Sequence, residues 1–413
     1  MKAILIVGDG MADRPVRILK SKTPLQAAKK KNIDALAKIG ISGIMDVISP
    51  GVPPGSDTAH LALFGYDPYK VYRGRGAFEA LGVGVPLEKG DVAFRCNLAT
   101  VDSSGRVVDR RAGRIGSAET KELAETLRRA RIRGYPDVRV IVEPATEHRI
   151  AVVLKGDGLS SQVSDADPHM VGVQINKVVP RVNTPEAAKT ADIVNVLTEL
   201  YIERLKGHPI NKEKMKKGGL QANALLFRGA GELPEIEPLT HSYRLNAAVI
   251  SGTALIKGVC RSVGIEVVEV DGATGTVDTD VTAKARAAVK ALRSHDLVYV
   301  HVKGTDNASH DGVLDQKIHM IERIDEMVGG IVSSVDLDNA IMAITADHTT
   351  PIEIREHTGD PVPFTMAGHG VRTDRVRCFD EVSCAEGGMN RINGVNLFPI
   401  MMSFLGRTKK FGA

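Results

Sequence analysis

Lys2-Ala-Ile-Leu-Ile-Val-Gly-Asp9-Gly10 carries an unbroken apolar run, Ala3–Val7, that stops at an aspartate between two glycines. A strand with one wet face alternates apolar and polar side chains. A continuous run instead suits a strand buried on both faces of a parallel sheet. Similar runs recur at Ile265–Val270, Leu297–Val302 and Ala340–Thr345. Among them the apolar spacing changes to three and four residues, at Leu255–Val263, Val281–Leu292 and Val313–Val332. In the last, Leu314, Ile318, Ile321, Ile324, Val328 and Ile331 form one helical stripe. Strand alternating with helix specifies an α/β fold, a mostly parallel sheet with helices on both faces. The pattern covers the start of the chain and everything after about residue 240.

The middle reads differently. Shorter strand candidates, Val92–Val101, Val138–Val142 and Ile150–Leu154, accompany two helices. One is Ala118–Ala130. The other begins at Thr184-Pro185, a capping residue followed by proline at the first helical position, and runs to about Leu205. The lysine-rich Asn211–Gly219 reads as an exposed connection, and the Arg128–Arg133 run as a solvated helix face. The expected organisation is a discontinuous outer domain, residues 1–90 and 239–413, carrying a smaller inserted α+β domain, residues 91–238. A chain of 413 residues is too long for one ordinary core, which agrees with two domains.

Composition narrows the function. Basic and acidic residues number 54 and 50, a near balance that gives no footprint for a nucleic acid. With 4% aromatics and no Trp, a base-stacking surface is not expected. Cys96, Cys260, Cys378 and Cys384 lack the spacing of a disulfide framework or a structural zinc site. Ala3–Val7 is too short for a signal-peptide core, and the uncharged Leu245–Ile256 is too short to span a bilayer. The expectation is a cytoplasmic protein with no membrane or nucleic-acid partner; the sequence leaves its oligomeric state open.

Chemistry-bearing residues gather at the expected strand ends, where open parallel sheets bind ligands. Asp9 ends the first strand. Pro53-Pro-Gly-Ser56-Asp-Thr-Ala-His60 is a rigid loop that hands the chain to a helix near Ser56, a position that favours a phosphate. Asp306 and His310 follow Leu297–Val302 and lie four apart, one helical turn. Asp347 and His348 follow Ala340–Thr345, and His357 comes soon after. In extended chain Asp347 and His348 point opposite ways, so they serve one metal only across a bend. Read alone, Asp9 is a turn aspartate and Ser56 an N-cap serine. Together the segments offer three carboxylates, three imidazoles and a serine oxygen. That set suits two Mn²⁺ or Zn²⁺ ions and is too rich in nitrogen for Ca²⁺. Ions about 4 Å apart stabilise the attacking and leaving oxygens of in-line phosphoryl transfer. A serine oxygen beside them loses its proton near neutral pH and becomes the nucleophile.

The order Asp, loop Ser, D-x-x-x-H, D-H and a last His is similar to that of the alkaline phosphatase superfamily. Within it, Pro53–His60, Arg73-Gly-Arg-Gly-Ala-Phe-Glu-Ala-Leu-Gly82, Asp91–Asn97, Asp109–Arg114, His301–Asp311 and His357–Pro363 resemble the archaeal branch of cofactor-independent phosphoglycerate mutases. The likeness spans nearly the whole chain. It implies an alkaline-phosphatase-like sheet domain and interconversion of 3-phosphoglycerate and 2-phosphoglycerate through a phosphoserine on Ser56. It also implies two divalent ions, Mn²⁺ first with Zn²⁺, Co²⁺ or Mg²⁺ as alternatives, and no 2,3-bisphosphoglycerate. By motif, Asp306, His310 and His357 would hold one ion, and Asp9, Ser56, Asp347 and His348 the other. The inserted domain would hold the phosphoglycerate, with Arg110, Arg111, Arg114 and Arg228 as its contacts. Lys257 and Lys303 are candidates for further phosphate contacts in the outer domain, and His60 either touches substrate or supports the fold. The remaining histidines, His148 and His301 among them, show no clustering in the sequence. Two alternatives stay open: a phosphatase or other phosphomutase with the same metal core, and a non-catalytic binding protein. The latter would have lost a site residue, whereas all seven positions are present.

Overall fold

The Lys2–Gly8 segment is a strand whose Ala3–Val7 side chains are fully buried, as a run apolar on both faces requires. Burial of Ile4, Leu5, Ile6 and Val7 contributes about 1.5–3 kcal/mol each; a charge at Ile6 would break the strand's seat. The structure is a computed structural model and describes residues 1–412 other than 130 and 133. Ala130, the end of the expected helix Ala118–Ala130, and Arg133, the end of the Arg128–Arg133 run, lie outside the described residues.

The chain divides into two compact units, Met1–Tyr72 with Ile236–Ala413, and Arg73–Glu235. The first contains an eight-stranded sheet in the order Arg391–Asn393, Ile41–Asp46, Val362–Gly368, Ala340–Ala346, Lys2–Gly8, Leu297–Val302, Ala247–Ile250, Glu266–Val267. Lys2–Gly8 pairs in parallel with a neighbour on each side, and the register sets Gly8 against both Val302 and Ala346. Three strands therefore end level, and the residues just beyond them meet. Val362–Gly368 runs antiparallel to both its neighbours. It starts where they finish, so the chain between Ala346 and Val362 stays at that end. Pro363 and Gly368 conceal this strand in the sequence. The run expected as a strand at Ile265–Val270 pairs only at Glu266–Val267, on the sheet edge, because the chain turns at Val270–Ala273.

The helix expected at Val313–Val332 spans Leu314–Val332 and buries Met320, Ile321, Ile324, Met327, Val328 and Ile331. It also buries Lys317. Ser56–Leu63 and Gly304–Asp311 are helices, the latter closed by Gly312 in the left-handed conformation.

In the second unit, Val92–Val101 is flanked by antiparallel Arg149–Lys155 and Ala224–Gly231. Val92, Phe94, Cys96 and Leu98 face a core made with the helices Ser117–Arg128 and Pro185–Lys206. Thr184 caps the second, its hydroxyl accepting from Ala187 N–H. On the other face Ala93, Ala151 and Val153 are covered by Ala77 and Ala80 of the helix Arg75–Gly82. A Cβ on Gly76 would lie 2.0 Å from the Ala93 carbonyl oxygen, so the helix rests directly on the strand. This packing moves the unit boundaries to 72/73 and 235/236, from the expected 90/91 and 238/239. Asn211–Gly219 is not a plain connection either. Pro209–Lys216 is helical, and buried Asn211 is bonded to the backbone of Leu205 and Ala222.

Candidate metal centre and anion site

Asp9 and Asp347 follow adjacent strands that end level, and Asp306 opens the helix after the third. Gly10 turns the chain at φ 60°, and a Cβ there would lie 2.8 Å from Asp306 Oδ1, so the turn needs glycine. Its N–H donates to Asp347 Oδ1 at 3.0 Å. Thr305 Oγ1 donates to the Asp9 carbonyl. The chain bends at Asp347–His348, as joint service to one site requires. His348 Nε2 lies 3.3 Å from Asp9 Oδ1 and 3.4 Å from Asp347 Oδ2. His310 and His357 each place Nε2 at 3.4 Å from Asp306 Oδ1. Ser56 Oγ is 3.4 Å from His348 Nε2, and the His348 and His357 rings stack at 3.6 Å. All seven expected residues thus fall in one linked cluster. Two donor triads stand out, Asp9–Asp347–His348 and Asp306–His348–His357, with donor atoms within 4.8 Å of one another. His348 belongs to both, and His310 sits at the exposed margin.

The imidazoles are held in one tautomer. His310 Nδ1 donates to the Arg355 carbonyl and His357 Nδ1 to the Pro54 carbonyl, each at 2.7 Å. His348 Nδ1 donates to Thr350 Oγ1 at 2.9 Å, and that hydroxyl donates to Asp306 Oδ1 at 3.0 Å. With Nδ1 committed to these acceptors, Nε2 of each ring faces a carboxylate, an arrangement that a divalent cation between them satisfies.

The carboxylates are almost wholly buried: Asp9 and Asp347 are 0% exposed and Asp306 1%. Burial pushes Asp347 well above the usual carboxylate range, and the neighbouring Asp9 adds to it. Burial also pushes Asp9 up but is outweighed by Lys303, His301 and His348 together, which hold it well below that range. Asp306 is lowered too, burial being outweighed by Lys303, His357 and His348 together. Asp347 Oδ2 is buried without a hydrogen-bond partner among the described residues. Three crowded carboxylates, three imidazole lone pairs and one orphaned oxygen fit divalent cations.

Other expected contacts land elsewhere. Lys303 Nζ bridges Asp9 Oδ1 at 2.9 Å and Asp306 Oδ2 at 2.7 Å. Lys257 pairs with Glu269 at 2.6 Å instead of standing ready for a phosphate. His60 is 0% exposed and its Nδ1 donates to the Ser56 carbonyl at 2.6 Å, the geometry of a support for the Ser56 turn. Burial depresses it to about 3. His301, passed over in the sequence, donates from Nε2 to Asp9 Oδ2 at 2.8 Å. Two residues on, just past the strand end, Lys303 reaches the other oxygen of the same carboxylate.

The inserted unit carries a basic site. Arg110 grips Asp167 bidentately at 2.9 and 2.7 Å, and Arg228 Nη1 lies 3.4 Å from the same carboxylate. Arg111 and Arg114 are exposed. Unforeseen in the sequence, Arg95 stands opposite Arg228 across two strands and Asn97 opposite Arg149. Glu79 pairs with Arg75 at 2.9 Å and Arg95 at 3.3 Å. Arg95 Nε, Asn97 Oδ1, His148 Nδ1 and Arg149 Nε are buried without a hydrogen-bond partner among the described residues. Burial, then the charge of Arg75, drives the Arg95 guanidinium down to about 9. The belt has more guanidinium than carboxylate, a donor set that suits an anion.

The family described as 2,3-bisphosphoglycerate-independent phosphoglycerate mutase matches residues 37–211. The chain is 48% identical to 2,3-bisphosphoglycerate-independent phosphoglycerate mutase 1 of Archaeoglobus fulgidus, over 100% of both chains. It is similar in structure to a protein of Pyrococcus horikoshii, with TM-score 0.88 and 40% identity over 100% of this chain and 99% of that one. The cofactor-independent phosphoglycerate mutase of Thermoplasma acidophilum gives TM-score 0.71 and 38% identity over 98% of this chain and 99% of that one. With its strand-end cluster intact and full-length kinship of this degree, the chain belongs to the 2,3-bisphosphoglycerate-independent phosphoglycerate mutase family.

Proposed function

We propose that the chain interconverts 3-phosphoglycerate and 2-phosphoglycerate through a phosphoserine on Ser56. The observation that carries this reading is the meeting of Asp9, Asp306, Asp347, three imidazoles and the Ser56 hydroxyl within contact distance. Asp306, His310 and His357 would hold one divalent ion, and Asp9, Ser56, Asp347 and His348 the other. The mixed oxygen and nitrogen donors suit Mn²⁺ first, with Zn²⁺, Co²⁺ or Mg²⁺ as alternatives. Such a pair, when bound, supplies charge to the transferring phosphoryl group and to the attacking and leaving oxygens.

The chain's own residues do the rest. The Ser56 oxygen forms a bond to phosphorus as the substrate oxygen leaves. The other hydroxyl of the glycerate then attacks that phosphorus and Ser56 leaves. Ser56 is the first residue of an eight-residue helix, so a phosphate on it sits at the positive end of the helix dipole. The glycerate must stay bound between the two steps. Arg95, Arg149, Arg228 and Arg110 offer the planar donor pairs that hold a carboxylate or phosphate. The partner is a small anionic metabolite, with no nucleic acid and no membrane, and we place the activity in the cytoplasm. Among the described residues no helix is long and apolar enough to cross a membrane.

A coupled enolase assay beside a free-phosphate assay tests the reading. Formation of 2-phosphoglycerate should far exceed phosphate release from 3-phosphoglycerate. Predominant release would assign a phosphatase that uses the same serine and then admits water.

A further inference from the structure

The helix Leu314–Val332 hides a lysine in its apolar face. Lys317 is fully buried, and its ammonium meets Asp13 Oδ2 at 2.7 Å, the Thr350 carbonyl at 2.9 Å and the Ala12 carbonyl at 3.1 Å. Three donors meet three acceptors, so the group is satisfied. The two carbonyls belong to the segments that leave the central strands: Ala12 lies three residues past Asp9, and Thr350 two past His348. Asp13 ties the same segments a second time, since its carboxylate accepts from Ile352 N–H at 3.1 Å. Thr350 N–H donates directly to the Ala12 carbonyl at 3.2 Å. Behind them Glu381 accepts from Asp13 N–H at 2.9 Å and from the Thr23 hydroxyl at 2.6 Å.

A buried ion pair is a poor source of stability, because well-packed apolar side chains of similar volume often do as well or better. What apolar packing lacks is direction. Asp9 and Asp347 repel one another once both are ionised, and that repulsion drives their segments apart. An ammonium that must reach a carbonyl on each segment at once opposes that movement. We infer that Lys317, with Asp13, is a positioning residue of the metal centre. It sets the spacing between the Asp9 and the Asp347–His348 segments, so that the donors are assembled before any ion arrives. The inference rests on the reading of Asp9, Asp347 and His348 as metal ligands.

The test uses the metal-stripped full-length protein and Mn²⁺ alone, with free Mn²⁺ followed by electron paramagnetic resonance. Asp13→Asn/Lys317→Met removes both charges together, and thermal unfolding without metal checks its fold. The expected result is a folded protein whose Mn²⁺ affinity falls about ten- to a hundredfold, the usual effect of losing a group that orients metal ligands. Parental affinity in the folded variant would overturn the inference. If the double variant does not fold, Asp13→Asn alone keeps the two carbonyl bonds of Lys317, and a smaller loss of affinity is expected; no loss overturns the inference. Asp347→Asn is the control for the underlying reading. Unchanged Mn²⁺ binding in that control removes the metal assignment itself. Weakened binding there, with parental affinity in the brace variants, removes only the brace.

Discussion

The two units gather opposite charge by opposite means. In the outer unit, buried carboxylates collect at the level ends of parallel strands, each from a short segment just beyond its strand. In the inserted unit, guanidinium groups collect on a sheet face through antiparallel register, with Arg95 against Arg228 and Arg149 beside Asn97. One site lacks positive charge and the other lacks negative charge. Divalent cations answer the first deficit and an anion answers the second.

The largest expected effect separates chemistry from charge. Ser56→Ala should abolish mutase turnover while leaving the melting temperature nearly unchanged; Mn²⁺ should still bind through Asp9, Asp347 and His348, more weakly for want of the serine oxygen. Full activity in this variant would end the nucleophile assignment. Next, Asp347→Asn relieves the crowding of carboxylates. It should raise the melting temperature of the metal-free protein and lower its stabilisation by Mn²⁺, both read by thermal unfolding with and without metal. A fall in metal-free stability would mean that the acidic cluster is not strained by its own charge.

Arg149→Met addresses the other side of the comparison. We expect KM for 3-phosphoglycerate to rise roughly ten- to a hundredfold, the effect of losing about 1.5–3 kcal/mol of charged hydrogen bonding. Mn²⁺ affinity should not move. A change in metal binding without a change in KM would dissolve the division of labour.

The smallest effect is in pH. His148 is buried among Arg149, Arg111 and Arg95, and burial with these charges lowers it from 6.5 to about 4. Between those values the unfolded chain binds more protons than the folded one, so stability rises with pH across this window. It is complete above 6.5 and lost as pH falls toward about 4. Melting temperatures across that range should decline less steeply for His148→Asn than for the parent.

The acidic site was legible because each ligand comes after an apolar run, and parallel strands deliver the residues beyond them to one end of the sheet. The bend at Asp347–His348 and the helical turn from Asp306 to His310 were foreseeable from local geometry. His301 was not, because its partner Asp9 is 292 residues away and a lone histidine in a buried strand has no local signature. The arginine belt was hidden for a related reason. Arg95, Arg149 and Arg228 lie on three strands, and register across strands is a tertiary property that near-neutral composition does not report. Arg75–Gly82 belongs to the inserted unit, which its sequence does not reveal, because an amphipathic helix declares that it covers a sheet without saying which one. Lys317 was lost inside an apolar stripe, where a lysine reads as an interruption and not as a tie between two loops.

Anomalous diffraction from crystals grown with Mn²⁺ tests the central claim most directly. Two peaks beside the Ser56 hydroxyl are expected, one contacted by Asp9, Asp347 and His348 and the other by Asp306, His310 and His357. Peaks that avoid these side chains, or an ion-free cluster in crystals saturated with Mn²⁺, would contradict it.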